Sequence, residues 1–305
     1  MPSPRDLVLA NLGLLLMVLS WGAFFPILER ILQSWDVFSA TLARQICGAG
    51  VLMIGVMAVR HREPLPASVP WRRAFILGGI GVTLGSLMTS LGVLLSSGLS
   101  SAIVSTTSPV GSALTAAWLF GEKLGGGIIF ATVLSFVGGL VSVAGEQSIA
   151  GTQFRGGEIL IVLANVVWTW MSIQAQRWLR GFSQLQIAAV TVLTGAAWLL
   201  LLLPLVMVTG VVDLHVTFTL EAILLVLFAG IVPIAIGNFC WHYGVSRLGV
   251  VVASMYNNLL PAAALATTLL MGGSFTWQQI LGTAIIVVGV ISAQMVQARR
   301  DARMR

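Results

Sequence analysis

The chain has 305 residues, of which 57% are apolar and only 9% charged, against about 25% charged in an ordinary soluble domain. Its 16 basic and 10 acidic side chains cannot cover a soluble surface, which excludes a soluble enzyme, a disordered chain and a DNA-binding domain. What remains is an all-α polytopic membrane protein, in keeping with a mean hydropathy of +0.98.

A helix crosses the bilayer core with about 20 mostly apolar residues. Ten such runs stand between charged, proline and glycine interruptions: 7–28, 37–59, 74–95, 100–120, 128–145, 159–178, 185–208, 220–243, 249–271 and 278–297. The runs are long and continuous, without the alternation of a barrel strand. The first does not read as a cleaved signal peptide, because its apolar stretch is too long and no small-residue cleavage site follows it. Cys47 and Cys240 fall within spans, as small buried side chains and not as an extracellular disulfide framework.

The basic residues orient the spans. With the amino terminus inside, one face of the membrane receives Arg5, Arg60, Arg62, Arg72, Arg73, Lys123, Arg177, Arg180, Arg247, Arg299, Arg300, Arg303 and Arg305, which is 13 of the 16. The opposite face receives Arg30 and Arg155, and Arg44 lies within the second span. Short loops at 96–99, 209–219 and 272–277 carry no lysine or arginine. This is the positive-inside pattern, so the net charge of +6 is an orientation signal and not a nucleic-acid footprint. Both termini are expected in the cytoplasm, which requires an even number of spans. The tail from Arg299 to Arg305 reads as an anchor near lipid headgroups.

The chain also matches itself. Gly78, Gly85 and Gly92 recur 152 residues later as Gly230, Gly237 and Gly244, while Pro109 meets Pro261 and Gly121 meets Gly273. In the first two spans of each half the offset is 147, where Trp21 meets Trp168 and Gly48 meets Gly195. Residues 1–147 and 148–305 thus read as two five-span repeats, and an odd number of spans turns the second upside down relative to the first. The seven-residue glycine spacing puts three glycines on one helix face, which suits close backbone approach in lipid.

Polar residues at membrane depth mark the candidate site. Ser105, Thr106, Thr107 and Ser108 precede Pro109, and Tyr256, Asn257 and Asn258 precede Pro261. A mid-span proline removes a backbone hydrogen bond, so both helices are expected to kink or open there, and matched interruptions point to a transport site. The packing alternative is that Ser and Thr bond back to their own helix and Asn bonds a neighbour. Asn165, Trp168, Ser172 and Gln176 share one stripe of the sixth span; Trp168 and Trp21 sit deeper than interfacial tryptophans usually do, as a cavity lining or as core. Arg44 is the charged group well inside a span, placed to hold a substrate carboxylate or to bond helix carbonyls. His242 lies near the inner end of the eighth span. All ten Asp and Glu residues lie at span ends or in loops, which disfavours ion coupling through a buried carboxylate. No phosphate-cradling loop, metal-ligand cluster or nucleophile–base set is visible either, so no cofactor is expected.

The run Ser20-Trp21-Gly22-Ala23-Phe24-Phe25, then Arg44, then Pro109 followed by Trp118-Leu119-Phe120-Gly121-Glu122-Lys123-Leu124 and Gly138, resembles the EamA-type proteins of the drug/metabolite transporter superfamily. The second half resembles them through Pro261, Gly272-Gly273, Gln279-Ile280-Leu281-Gly282 and Gly289-Val290, and departs at Ser274 and Thr191, which occupy the places of Glu122 and Arg44. The resemblance covers essentially the whole chain. It implies a ten-helix inverted-repeat carrier of the inner membrane, its cavity lined by spans one to four and six to nine, with spans five and ten peripheral. Members commonly export amino acids or other small metabolites, and the deep Trp21 and Trp168 favour the aromatic amino acid exporters. The alternative within the superfamily is a cation, multidrug or sugar-type efflux carrier. The expected substrate-binding set is Trp21, Arg44, Thr106, Asn165, Trp168, Tyr256, Asn257 and Asn258, with helix breaks at Pro109 and Pro261. Its expected partners are a small-molecule substrate and membrane lipid, with no nucleic acid, and a monomer is compatible with that set.

Overall fold

The computed structural model describes residues 3–120, 155–274 and 276–285, together with helical positions at 130, 133, 134, 137, 138, 141 and 288. Among these the regular secondary structure is all helical, apart from an isolated bridge between Trp35 and Val216. Eight helical rods carry the fold. They are α1 (Pro4–Ile31), α2 (Val37–Val59), α3 (Trp71–Leu95), α4 (98–120), α5 (Gly157–Trp178), α6 (Gln184–Thr209), α7 (Leu220–Leu248) and α8 (Val250–Leu270). All but α4 are long and apolar enough to cross a membrane; α4 is as long, but its serines and threonines dilute it. The fifth run (128–145), most of the tenth (278–297), Lys123, the Gly121–Leu124 motif and the tail from Arg299 lie outside the described residues or are represented only by isolated positions. A helix covering 277–285 does begin where the tenth run was expected. Its start is closed by a capping box, with Gln279 N–H donating to Thr276 Oγ1 at 3.1 Å and Thr276 N–H to Gln279 Oε1 at 2.8 Å.

Helix ends are set by local chemistry. A Ser3/Asp6 box starts α1, Asp36 caps α2, a Ser183/Gln186 box starts α6 and Thr219 caps α7, each satisfying amide groups that the first turn leaves unpaired. α7 runs five residues beyond its expected end because the break is made by Gly249, whose φ of 81° with extended ψ suits glycine alone. The apolar stripe of α1 shows what the solvent is: Leu9, Leu12, Leu16 and Leu19 face outward while Ala10, Leu14 and Met17 are fully buried. A continuous row of leucines on the outside of a bundle is a lipid-facing arrangement.

The helices alternate in direction. Arg30 pairs with Glu221 at 2.8 Å, Asp36 N–H donates to the His215 carbonyl at 3.0 Å, and Gly98 N–H donates to Glu29 at 2.9 Å. These contacts gather residues 29–36, 96–98 and 213–221 at one end of the bundle. The other end holds Arg5, Arg60, Arg62, Arg72, Arg73, Arg177, Arg180 and Arg247. α5 starts at the end where α1 finishes, since a Cβ on Gly157 would meet the Ser96 amide at 2.9 Å.

The two halves interlock across glycine crossings that match at the two offsets. A Cβ on Gly195 of α6 would meet Val82 Cγ1 of α3 at 2.6 Å, and one on Gly48 of α2 would meet Ile234 Cβ of α7 at 2.9 Å. Likewise Gly78 abuts the Gly195 amide at 2.6 Å, and Gly230 abuts Cys47 Cβ at 2.6 Å; Gly92 meets Ile161 at 2.7 Å, and Gly244 meets Leu14 at 2.5 Å. Thus α1 and α2 pack on α7, while α5 and α6 pack on α3, and each half lends its first two helices to the other.

Matching irregularities accompany these crossings. π-helical segments occupy Leu77–Leu84 of α3 and Gly230–Gly237 of α7, and 3-10 segments occupy Ser105–Thr107 of α4 and Tyr256–Leu259 of α8. The expected opening at Pro109 and Pro261 is instead a tightening. Each proline lacks the N–H that would bond the carbonyl four residues back, and that carbonyl is taken by the preceding residue: Ser108 N–H donates to Ser105, and Leu260 N–H to Asn257. The chain stays helical because no carbonyl is left to open it.

Candidate functional site

Where the four irregular segments converge lies a cavity of about 120 Å³. Trp21, Phe24 and Phe25 of α1 wall it on one side and Asn165 and Trp168 of α5 on another. Arg44 and Gln45 enter from α2, Gly85, Ser86 and Thr89 from α3, Pro233 and Asn238 from α7, and Ser105, Asn257 and Leu260 from the two 3-10 turns and their borders. α6 contributes nothing to this wall. The expectation that it would do so is corrected by Thr191, which stands where α2 has Arg44 but bonds back to the Ile187 carbonyl at 2.8 Å and is too short to reach inward.

Five of the eight expected site residues line the cavity: Trp21, Arg44, Asn165, Trp168 and Asn257. Three do not. Thr106 turns back to the Ile103 carbonyl at 2.6 Å, so its neighbour Ser105 takes the wall position; Tyr256 donates its hydroxyl to Asn11 Oδ1; Asn258 Nδ2 donates to the Met255 carbonyl. Pro109 and Pro261 also stand off the wall, while the unforeseen Pro233 is on it. Gln45, Ser86, Thr89 and Asn238 were missed. For Gln45 and Asn238 the usable signal was the one that found Asn257, an amide at membrane depth.

Arg44 is 3% exposed. Its Nη2 donates to Ser90 Oγ at 2.8 Å and to the Ser86 carbonyl at 3.3 Å, Thr41 and Ser90 share a hydrogen bond of 2.8 Å behind it, and its guanidinium carbon stands 4.8 Å from the Phe24 ring centroid. The cation is thus held by neutral donors and acceptors and an aromatic face, and no carboxylate lines the cavity among the described residues. Arg44 Nε has no hydrogen-bond partner there.

The same holds around the wall. Asn165 Nδ2 and Trp168 Nε1 are buried donors without partners, and Gln45 Oε1, Asn238 Oδ1 and Asn257 Oδ1 are buried acceptors without partners, among the described residues. Asn257 Nδ2 donates to Ser108 Oγ at 3.0 Å, tying one 3-10 turn to the residue that closes the other. Buried polar atoms are nearly always paired, so this cluster of unpaired donors and acceptors on wall residues marks a place for polar partners. The tryptophans frame it: Trp21 and Trp168 meet edge to face at 5.5 Å, and Trp241 closes the far side of Trp21 at 5.5 Å. Trp21 Nε1 donates to the Pro233 carbonyl at 3.0 Å, inside the π-helical segment of α7.

Known proteins of similar sequence are named as transporters. The chain is 26% identical, over 95% of both chains, to a protein of Streptantibioticus cattleyicolor named "Probable terminal-alkyne amino-acid exporter". It is 24% identical to the uncharacterized transporter YdfC of Bacillus subtilis, over 90% of this chain and 87% of that one. A solved crystal structure with 19% sequence identity superposes with a TM-score of 0.72, covering 95% of this chain and 98% of the other, which shows a shared fold. The EamA-like transporter family matches twice, over residues 8–144 and 155–293. The chain is a multi-pass membrane protein, a transporter and not an enzyme, and it belongs to the EamA-like transporter family.

Proposed function

We propose that this transporter exports small zwitterionic metabolites, amino acids first, across the inner membrane. It works by alternating access between two inverted five-helix repeats, ten helices in all, with both termini cytoplasmic. The observation that carries the substrate class is the wall itself: one buried cation, Arg44, together with unpaired amide oxygens of Gln45, Asn238 and Asn257. A carboxylate answers the guanidinium and an ammonium answers the amide oxygens, so an amino acid uses both sets at once. A cationic drug finds no anion on this wall, and a sugar leaves the guanidinium without a counter-charge. The aromatic wall of Trp21, Phe24, Phe25 and Trp168 suits aromatic and other neutral side chains, which are the expected range.

With no carboxylate on the cavity wall among the described residues, movement is facilitative or by exchange. Purified protein in liposomes tests both points. Saturable uptake of labelled phenylalanine, threonine or alanine that does not respond to an imposed pH gradient is the expected result. Uphill accumulation driven by the gradient alone would refute the uncoupled reading, and movement of a sugar or a cationic dye in place of amino acids would overturn the substrate.

A further inference from the structure

Five glycines lie along α3, and at four of them an added Cβ would collide, Gly79 with Trp198 Nε1 at 2.7 Å. A Cβ on Gly78 would meet the Gly195 amide at 2.6 Å, one on Gly92 would meet Ile161 at 2.7 Å, and one on Gly81 would strike Met171. Gly85 is different. It is buried, yet a Cβ built on it meets only Val167 Cγ1, at 3.8 Å, which is ordinary van der Waals contact. Its backbone is right-handed helix, with φ −59° and ψ −42°, so its conformation does not call for glycine. A buried position with no crowding and no backbone demand must border open space. That space is the cavity, whose wall Gly85 forms beside Ser86. The counterpart in the other half sharpens the point: a Cβ on Gly237 would meet Trp21 Nε1 at 2.5 Å and Ser20 Oγ at 2.9 Å, so glycine there is a packing requirement.

We propose that Gly85 sets the upper size limit of the transported molecule, because its missing side chain is room that the substrate occupies. The inference rests on reading the cavity as the amino-acid site. A Cβ at 85 meets nothing closer than ordinary contact with Val167, and larger side chains there are expected to exclude progressively larger substrates. One methylene of misfit in an apolar pocket changes discrimination by about 10- to 200-fold, so the effect is large enough to read.

The test uses full-length protein in liposomes, comparing wild type, Gly85→Ala and Gly85→Leu for uptake of labelled alanine and phenylalanine. The phenylalanine-to-alanine uptake ratio is expected to fall at least about tenfold in Gly85→Leu and by an intermediate factor in Gly85→Ala. An unchanged ratio in correctly inserted Gly85→Leu overturns the proposal, as does equal loss of both substrates in Gly85→Ala, which would make the position structural. A second measurement does not depend on transport. In a background where Cys47 and Cys240 are replaced by Ala, the Gly85→Cys thiol is expected to react with methyl methanethiosulfonate and much more slowly with its benzyl analogue. Absence of reaction with the methyl reagent from either side overturns the proposal. If no amino acid moves but the thiol shows this dependence on bulk, the size-limiting wall stands and the amino-acid reading alone fails.

Discussion

Gly85 and Gly237 occupy matching turns of α3 and α7, and each faces the tryptophan-bearing helix of the opposite half, α5 and α1. Trp21 fills the space over Gly237 and donates to Pro233, whereas Trp168 leaves the space over Gly85 open and its own Nε1 unpaired. The same contrast separates α2 from α6, where Arg44 reaches the cavity and Thr191 folds back on its helix. Ser90, which holds Arg44, has as its counterpart His242, fully buried with neither ring nitrogen partnered among the described residues. The glycine crossings do not diverge in this way. Both halves must bring backbones together, so both keep the missing side chain, whereas matched wall positions such as Ser86 and Asn238, or Ser105 and Asn257, carry different polar groups. Scaffold is therefore duplicated and chemistry is not.

The largest expected effects fall on the scaffold and should be the same in both halves. Gly48→Leu drives a side chain into Ile234, and Gly195→Leu drives one into Val82. Overpacking costs about 1–3 kcal/mol and sometimes more, and here the neighbours are helix faces with little room to yield. Both variants are expected to lose the monodisperse peak in size-exclusion chromatography of detergent-extracted protein. Tolerance of one and not the other would break the equivalence of the two crossings.

Arg44 and Thr191 test the chemical half of the comparison. Hydrogen bonds to charged groups contribute about 1.5–3 kcal/mol, so Arg44→Ala should lower amino-acid uptake by roughly 10- to 150-fold while the protein still inserts. Arg44→Lys keeps the charge but loses the planar fork and should fall between. Thr191→Ala should stay within about threefold of wild type, because it removes only a local bond to the carbonyl of its own helix. Equal losses at the two positions would mean that Arg44 acts on packing and not on cargo.

Much of this was legible before the structure. Helix limits came within a few residues wherever a cap residue such as Asp36 or Ser183 marks the start, because apolar length and first-turn chemistry are both local. Among the described residues the matched glycines sit at close approaches, with Gly85 the exception, and no local property of that residue distinguishes it from Gly237. Five of the eight site residues line the cavity because a tryptophan, an amide or a cation at membrane depth is expensive without a partner. The misses have a common cause in register. Ser105 and Thr106 are adjacent in sequence but point about 100° apart on a helix, and a 3-10 turn shifts that phase again. Whether a proline opens a helix or tightens it depends on whether the next amide can take over the freed carbonyl, which is a tertiary matter. The π-helical segments follow from how α3 and α7 meet their partners, and no residue type announces them.

The smallest expected effect separates the two tryptophans. Trp21→Phe leaves the Pro233 carbonyl without its indole donor at the α1–α7 contact, and a hydrogen bond of that kind contributes about 1 kcal/mol. Its main consequence should be a lower unfolding temperature. Trp168→Phe deletes a donor that has no partner among the described residues, so the fold loses some ring packing against Trp21 but no hydrogen bond, while a substrate held there would lose one. Uptake should then fall by about two- to tenfold with a smaller drop in unfolding temperature than in Trp21→Phe. If Trp168→Phe destabilises the protein as much as Trp21→Phe does, the indole at 168 is core, and the cavity loses the donor that most clearly distinguishes one half from the other.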